Sequence, residues 1–129
     1  MILLDTHVWI WWVTGSPSMP TAFRQKILDN EDRGLGVSLI SCWEVALKAV
    51  DGDLQLDREP KDWLDHALQY PGVRPIDLTL AVIKDAVHLP GAFHKDPADR
   101  FIVATSRVMQ FPLLSADARI RAYEGVSLA

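Results

Sequence analysis

Cysteine is almost missing from this 129-residue chain. Cys42 stands alone, so no internal disulfide can form, and the usage suits a reducing compartment such as the cytoplasm. No apolar run approaches the roughly 20 residues needed to cross a bilayer, so no membrane role is expected. The apolar start has no basic leader, is broken by Asp5 and His7, and runs into tryptophans rather than a small-residue cleavage site. It does not read as a signal peptide. Positive charge is in deficit, with 13 Lys and Arg against 17 Asp and Glu and a net charge of -4. That excludes a passive nucleic-acid binder working through a basic field. It does not exclude an enzyme acting on nucleic acid, because acids engaged with metal ions leave the working surface less negative than the formal count. A dinucleotide loop is missing as well: Gly34-Leu35-Gly36 lacks the third glycine and the helix that should follow. With no repeat, low-complexity tract or long linker, residues 1–129 are expected to form one domain.

What is present alternates. Ile2-Leu3-Leu4 is a short apolar run ending on Asp5, as in a strand buried on both faces, and Val8, Trp9, Trp12 and Val13 then recur at helical spacing. A second helix follows Pro20 with Phe23, Ile27 and Leu28 inward. A second strand spans 35–40, and Ser41 opens a helix that ends near Asp51-Gly52. Pro60 starts a helix carrying Trp63, Leu64, Ala67 and Leu68 on one side. Val73 to Ile76 reads as a third strand, which Pro75 either weakens or places near an edge. Thr79 to His88 is helical with Leu80, Ile83 and Val87 inward, and a strong helix runs from Asp96 to Met109. A fourth strand at 112–114, a short helix at 117–123 and a fifth strand at 126–128 complete the series. Strands and helices in this order predict a three-layer α/β/α domain with a mainly parallel sheet of four to five strands. Most of the five tryptophans read as core, while Trp11 falls off the apolar face of its helix and, with Ile10, marks a partner surface.

Four acids share one kind of position. Asp5, Glu44, Asp99 and Asp117 each fall at a strand-to-helix junction, and right-handed crossovers bring such junctions to one edge of a parallel sheet. Singly, three of them have a plain structural reading. Ser41-Cys42-Trp43-Glu44 spells a capping box, Asp96-Pro97-Ala98-Asp99 is a capped helix start, and Asp117 can begin its own helix. Together they repel unless a hard cation resolves the charge, and oxygen-only ligation favours Mg²⁺ or Mn²⁺ over Zn²⁺. Such an ion keeps waters and meets phosphates, which points to metal-assisted phosphodiester hydrolysis. Other phosphate chemistries fit less well. A haloacid-dehalogenase-type site and a phospho-acceptor domain both want paired acids after the first strand, and Asp5-Thr6-His7 supplies one. Cys42 has no histidine at a telling spacing, and His7 and His94 read as hydrogen-bonded structural groups.

Leu4-Asp5-Thr6, Ser41-Cys42-Trp43-Glu44, His94-Lys95-Asp96-Pro97-Ala98-Asp99-Arg100 and Leu114-Ser115-Ala116-Asp117 together resemble the four acidic motifs of PIN-domain nucleases, nearest to the VapC-type toxins of toxin–antitoxin pairs. The likeness runs in order over essentially the whole chain. It implies a PIN fold, Mg²⁺- or Mn²⁺-dependent endoribonuclease activity on RNA, a homodimer, and a small antitoxin as inhibitory partner. Carried over, Asp5, Glu44, Asp99 and Asp117 match the metal-site acids, with Asp5 and Asp99 as direct ligands. Thr6 and Ser115 match supporting hydroxyls, and Asp96 is a secondary acid read first as the helix cap. Lys95, Arg100 and Arg119 adjoin the motifs as candidate RNA-backbone contacts. The alternative is a PIN-like module that binds a partner without catalysis.

Overall fold

Successive residues of a strand face opposite sides, so an unbroken apolar strand needs cover on both. In the computed structural model, which describes all 129 residues, β1 (Ile2–Leu4) meets that demand at the centre of the sheet. It lies between β2 (Leu35–Ser38) and β4 (Leu113–Leu114), and β3 (Val73–Ile76) completes the order β3-β2-β1-β4 with every pairing parallel. Ile2 and Leu4 point into one core with Val8, Trp9, Ile27, Trp63 and Leu114. Leu3 points into a second core with Val82, Ile102, Val103, Leu113 and Ile120. The helices are α1 (Thr6–Thr14), α2 (Thr21–Asn30), α3 (Leu39–Val50), α4 (Pro60–Leu68), α5 (Leu80–Val87), α6 (Pro97–Met109) and α7 (Ala118–Arg121). The first core is lined by α1, α2, α3 and α4, and the second by α5, α6 and α7. This is the layered α/β/α domain expected, with Pro75 on the edge strand.

The chain adds β2 and β3 to one side of β1 and only later returns to place β4 on the other. The sheet therefore has a switch point between β1 and β4, where the loops leaving the strands diverge and open a crevice. The ladder runs on beyond the strands there: the Asp5 amide donates to the Leu114 carbonyl.

Several expected details differ. The strand at 35–40 stops at Ser38, whose extended backbone and side chain cap α3 by accepting from the Ile40 amide, so Ser41 lies inside the helix rather than at its start. Leu28 on α2 is half exposed. Helix α5 turns Val82 and Ala86 inward and leaves Leu80, Ile83 and Val87 facing out, the reverse of the expected face. The fifth strand is a single parallel bridge, Leu113 to Leu128. Of the tryptophans, Trp9 and Trp63 are buried and pack edge to face. Trp11 and Trp12 are partly buried against the first core, so Trp11 is not a free partner surface. Trp43 is 56% exposed.

The two-sided burial of β1 gives a direct comparison. Leu3→Ala is expected to cost about 2–5 kcal/mol, the range for emptying a closed core site. Leu80→Ala, on the outward face of α5, should cost less than about 0.5 kcal/mol in the isolated chain. Urea unfolding followed by tryptophan fluorescence measures both.

Candidate active site

The site grows out of the carboxyl end of β1. Asp5 follows the strand directly and caps α1, its Oδ1 accepting from the Thr6 amide at 2.8 Å. Its Oδ2 accepts from the Ser115 hydroxyl at 2.6 Å, and the residue is only 3% exposed. Thr6 Oγ1 donates to Glu44 Oε1 at 2.6 Å and lies 2.8 Å from Ser41 Oγ. A hydroxyl has one proton, and that of Thr6 is committed to Glu44, so Ser41 is the donor in the second bond. Glu44 is thus held by Thr6 across from α1, with Ser41 one helical turn before it behind Thr6. It is not the reciprocal half of a capping box, because Ser38 does the capping.

Asp96 caps α6 by accepting from the Asp99 amide at 3.0 Å, as expected, and leaves Asp99 in the first turn. Asp117 likewise caps α7, accepting from the Arg119 and Ile120 amides at 2.8 and 3.2 Å. Capping and site membership coexist at both positions. Asp5, Glu44, Asp96, Asp99 and Asp117 line one small cavity of about 190 Å³, together with Thr6, His7, Lys48 and Arg119 and no apolar residue. A larger hollow of about 460 Å³ between Pro90 and Gly125 carries one carboxylate, Glu124, and no converging set.

The acids feel one another. Burial first, then the charges of Asp5, Asp96, Asp117 and Glu44, push the Asp99 carboxyl up to about 7. Burial also raises Glu44, against the opposing pull of the Thr6 hydroxyl and Lys48. At Asp117 burial pushes upward too, but the Ile120 and Arg119 amides, the Arg119 guanidinium and His94 outweigh it and hold the group below the usual range. His94 Nε2 lies 3.0 Å from Asp99 Oδ2 without the alignment of a hydrogen bond, and it is buried with no other partner. Arg119 Nη2 stands 3.9 Å from Asp99 Oδ2 and 3.7 Å from Asp117 Oδ2.

No three of these side chains converge closely enough to hold a single ion among them as they stand. The set is suited to a hard cation that takes one or two carboxylates and fills its remaining positions with water and substrate oxygens, as Mg²⁺ does. Nitrogen donors that would favour zinc are confined to His7, which already accepts from the Ala116 amide, and His94, and no cysteine lines the cavity.

Two of the three candidate RNA-contacting cations lie elsewhere. Arg100 spends its guanidinium on the carbonyls of Ala86, Phe93 and His94, at 2.9 to 3.2 Å, so it braces the loop carrying His94 and has few donors left for a phosphate. Lys95 is exposed on the far side of that loop and lines a different hollow with Val87 and Phe101. Arg119 lines the acid cavity, and so does Lys48, which the sequence reading passed over although it stands one turn after Glu44 on α3.

Comparisons with known proteins bear on the family and the fold. A family model, the PIN domain, matches residues 2–126. Ribonuclease VapC22 of Mycobacterium tuberculosis is 34% identical over 122 residues, which cover 95% of this chain and 91% of that protein. Two solved structures share the fold at lower identity. VapBC2 from Rickettsia felis, bound to a DNA fragment from its promoter, superposes with a TM-score of 0.74 at 14% identity, over 100% of this chain and 98% of that one. FitAcB from Neisseria gonorrhoeae gives 0.71 at 20% identity, over 99% and 96%. From the parallel sheet with acids gathered at its switch point to the match along nearly its full length, this chain belongs to the PIN-domain family.

Proposed function

We propose that the chain, as a single PIN domain over residues 1–129, is an Mg²⁺- or Mn²⁺-dependent endoribonuclease and the toxin of a cytoplasmic toxin–antitoxin pair. The observation that carries this reading is the meeting of Asp5, Glu44, Asp99 and Asp117, drawn from four junctions of the fold, around one polar cavity. Kinship with a protein named as a ribonuclease supplies the reaction class.

In this reading Asp5 and Asp99 hold the cation directly, and Glu44 and Asp117 act directly or through water. A bound divalent ion supplies a lowered pKa for an attacking water and positive charge against the phosphate. The remaining work falls to the chain. The Thr6 amide and Ser115 hydroxyl fix both oxygens of Asp5, and the Thr6 hydroxyl fixes Glu44. Without the ion the Asp99 carboxyl is pushed up to about 7, so a cation bound there would displace a proton at neutral pH. Asp117, held low, stays ionised. Lys48 and Arg119 are the cations at the rim and meet the RNA backbone, where they offset the repulsion between acids and phosphates.

Partners fit the uncovered apolar faces. Leu39, Trp43, Leu47 and Val50 form an exposed stripe on α3, and Leu80, Ile83 and Val87 form one on α5. We assign these stripes to the antitoxin and to a second copy of the chain. Toxin–antitoxin assemblies among the structural relatives support an antitoxin partner.

Three outcomes are expected. Purified protein with Mn²⁺ should cleave RNA, and Asp5→Asn should slow single-turnover cleavage by about two orders of magnitude or more, the scale of lost charge stabilisation. Undiminished cleavage by Asp5→Asn would remove the site from the reaction. Ile83→Asp and Trp43→Asp should each abolish one association, read as dimer mass in sedimentation and as antitoxin co-purification. The third outcome concerns pH. Between the ordinary value of 3.8 and about 7, metal-free folded protein keeps a proton on Asp99 that the unfolded chain has lost. The stability owed to Asp99 is therefore complete below about pH 4, declines as pH rises, and is gone above about pH 7. A cation competes with that proton, so Mn²⁺ should raise Tm more at about pH 8 than at about pH 6. Asp99→Asn should flatten both trends in a thermal melt.

A further inference from the structure

The turn after β4 is laced to the turn after β1 residue by residue. The Asp5 amide donates to the Leu114 carbonyl, the Ser115 hydroxyl donates to Asp5 Oδ2, and the Ala116 amide donates to His7 Nε2 at 3.0 Å. The last of these bonds is the unusual one, since it joins a side chain of α1 to the backbone between a residue that holds Asp5 and the acid Asp117. An amide N–H can only donate, so Nε2 is the bare nitrogen and the ring proton sits on Nδ1. Nδ1 lies 3.6 Å from Asp5 Oδ2, too far for a hydrogen bond but with its N–H dipole beside the carboxylate. Trp11 packs edge to face on the imidazole, centroids 5.0 Å apart at 65°, and fixes the ring's orientation from one helical turn away. Nothing in the proposed chemistry uses this histidine as an acid, a base or a ligand.

We propose that His7 is a positioning residue, an acceptor that locks the Ser115–Asp117 turn against the Asp5 junction and so sets the spacing of the first and fourth acids. The proposal rests on the ribonuclease reading for its consequence but not for its geometry. It also explains a residue that otherwise stands only as a polar group beside the acids. If His7 let go, the Ala116 amide would lose its acceptor, and the turn would hang on Ser115 alone, whose hydroxyl donates to Asp5 and accepts from the Asp117 amide and whose carbonyl accepts from Arg121, so the spacing of Asp117 from Asp5 would loosen.

Glutamine places an oxygen near the Nε2 position, and asparagine places its amide near Nδ1, so the two substitutions separate the two ends of the ring. His7→Gln should keep Ala116 amide exchange protected and leave Mn²⁺ affinity within about twofold, measured by calorimetry. His7→Asn and His7→Ala should lose that protection and weaken Mn²⁺ by about tenfold, the lower end for outer partners of a metal site. Nitrogen-15 spectra of the wild type should show Nε2 as the hydrogen-bonded acceptor nitrogen. Comparison is made between variants of equal Tm, and the Gln and Asn pair suffices where His7→Ala folds poorly. Equal Ala116 protection in wild type and His7→Asn, or loss of Mn²⁺ affinity in His7→Gln as large as in His7→Asn, overturns the proposal. A wild type that binds no Mn²⁺ defeats the ribonuclease reading instead, and amide exchange then decides alone whether the lock exists.

Discussion

The carboxylate of Asp5 sits at the end of a fully buried strand with almost no contact with water, and the surrounding structure answers the cost of that burial. Removing a charged group from water is expensive unless donors replace the lost solvation. Here one oxygen takes a backbone N–H from the first turn of α1 and the other takes the hydroxyl of Ser115 from beyond β4. Each donor fixes a piece of chain. Thr6 then extends the arrangement to α3 through Glu44 and Ser41, so that a single buried group ties together the ends of β1 and β4 and the start of two helices.

This arrangement concentrates like charge. Five carboxylates face two cations around the cavity, and burial first, then repulsion from the other four, raises Asp99, whose carboxylate no amide compensates. Asp117 escapes because the helix it caps supplies donors. The same first-turn geometry therefore yields one acid held low and one pushed toward neutrality. Such a split is how two chemically identical groups come to serve different parts in one reaction. A chain selected for stability alone would not keep these acids together.

The layered fold and the four acids were legible because both depend on local patterns: a two-sided apolar strand, a junction acid, a helix start. What escaped depends on packing. Helix α5 is apolar on nearly every side, and its small Ala86 with Val82 admits α6 closely while the larger Leu80, Ile83 and Val87 are left outside. Val37 and Ile40 favour a strand to residue 40, yet the Ser38 cap ends it two residues sooner and thereby frees Glu44 from capping. Arg100 looked like a phosphate contact by adjacency to Asp99, but its Nε and Nη1 are spent on three carbonyls that no sequence pattern reveals. Lys48 went unremarked although Glu44 stands one turn before it on the same helix, and the acceptor role of His7 was silent because its donor, the Ala116 amide, comes from another element. Acids at strand-to-helix junctions announce themselves by repetition of one context, whereas the groups that aim them do not.

The edges of the sheet have a consequence for how molecules of this protein can meet. Leu35 pairs with Val73 and its amide donates to the Gly72 carbonyl, which turns the polar groups of Arg74 and Ile76 toward β2 and those of Val73 and Pro75 outward. Proline has no amide proton, so the outer rim of β3 lacks a donor where an added strand would need one. The opposite rim is only two residues long and is already bridged by Leu128. Neither border can template a neighbouring strand, and cross-β stacking between chains is discouraged at both. Association is thereby left to the helical flanks, whose geometry permits a closed, finite complex rather than a growing fibre.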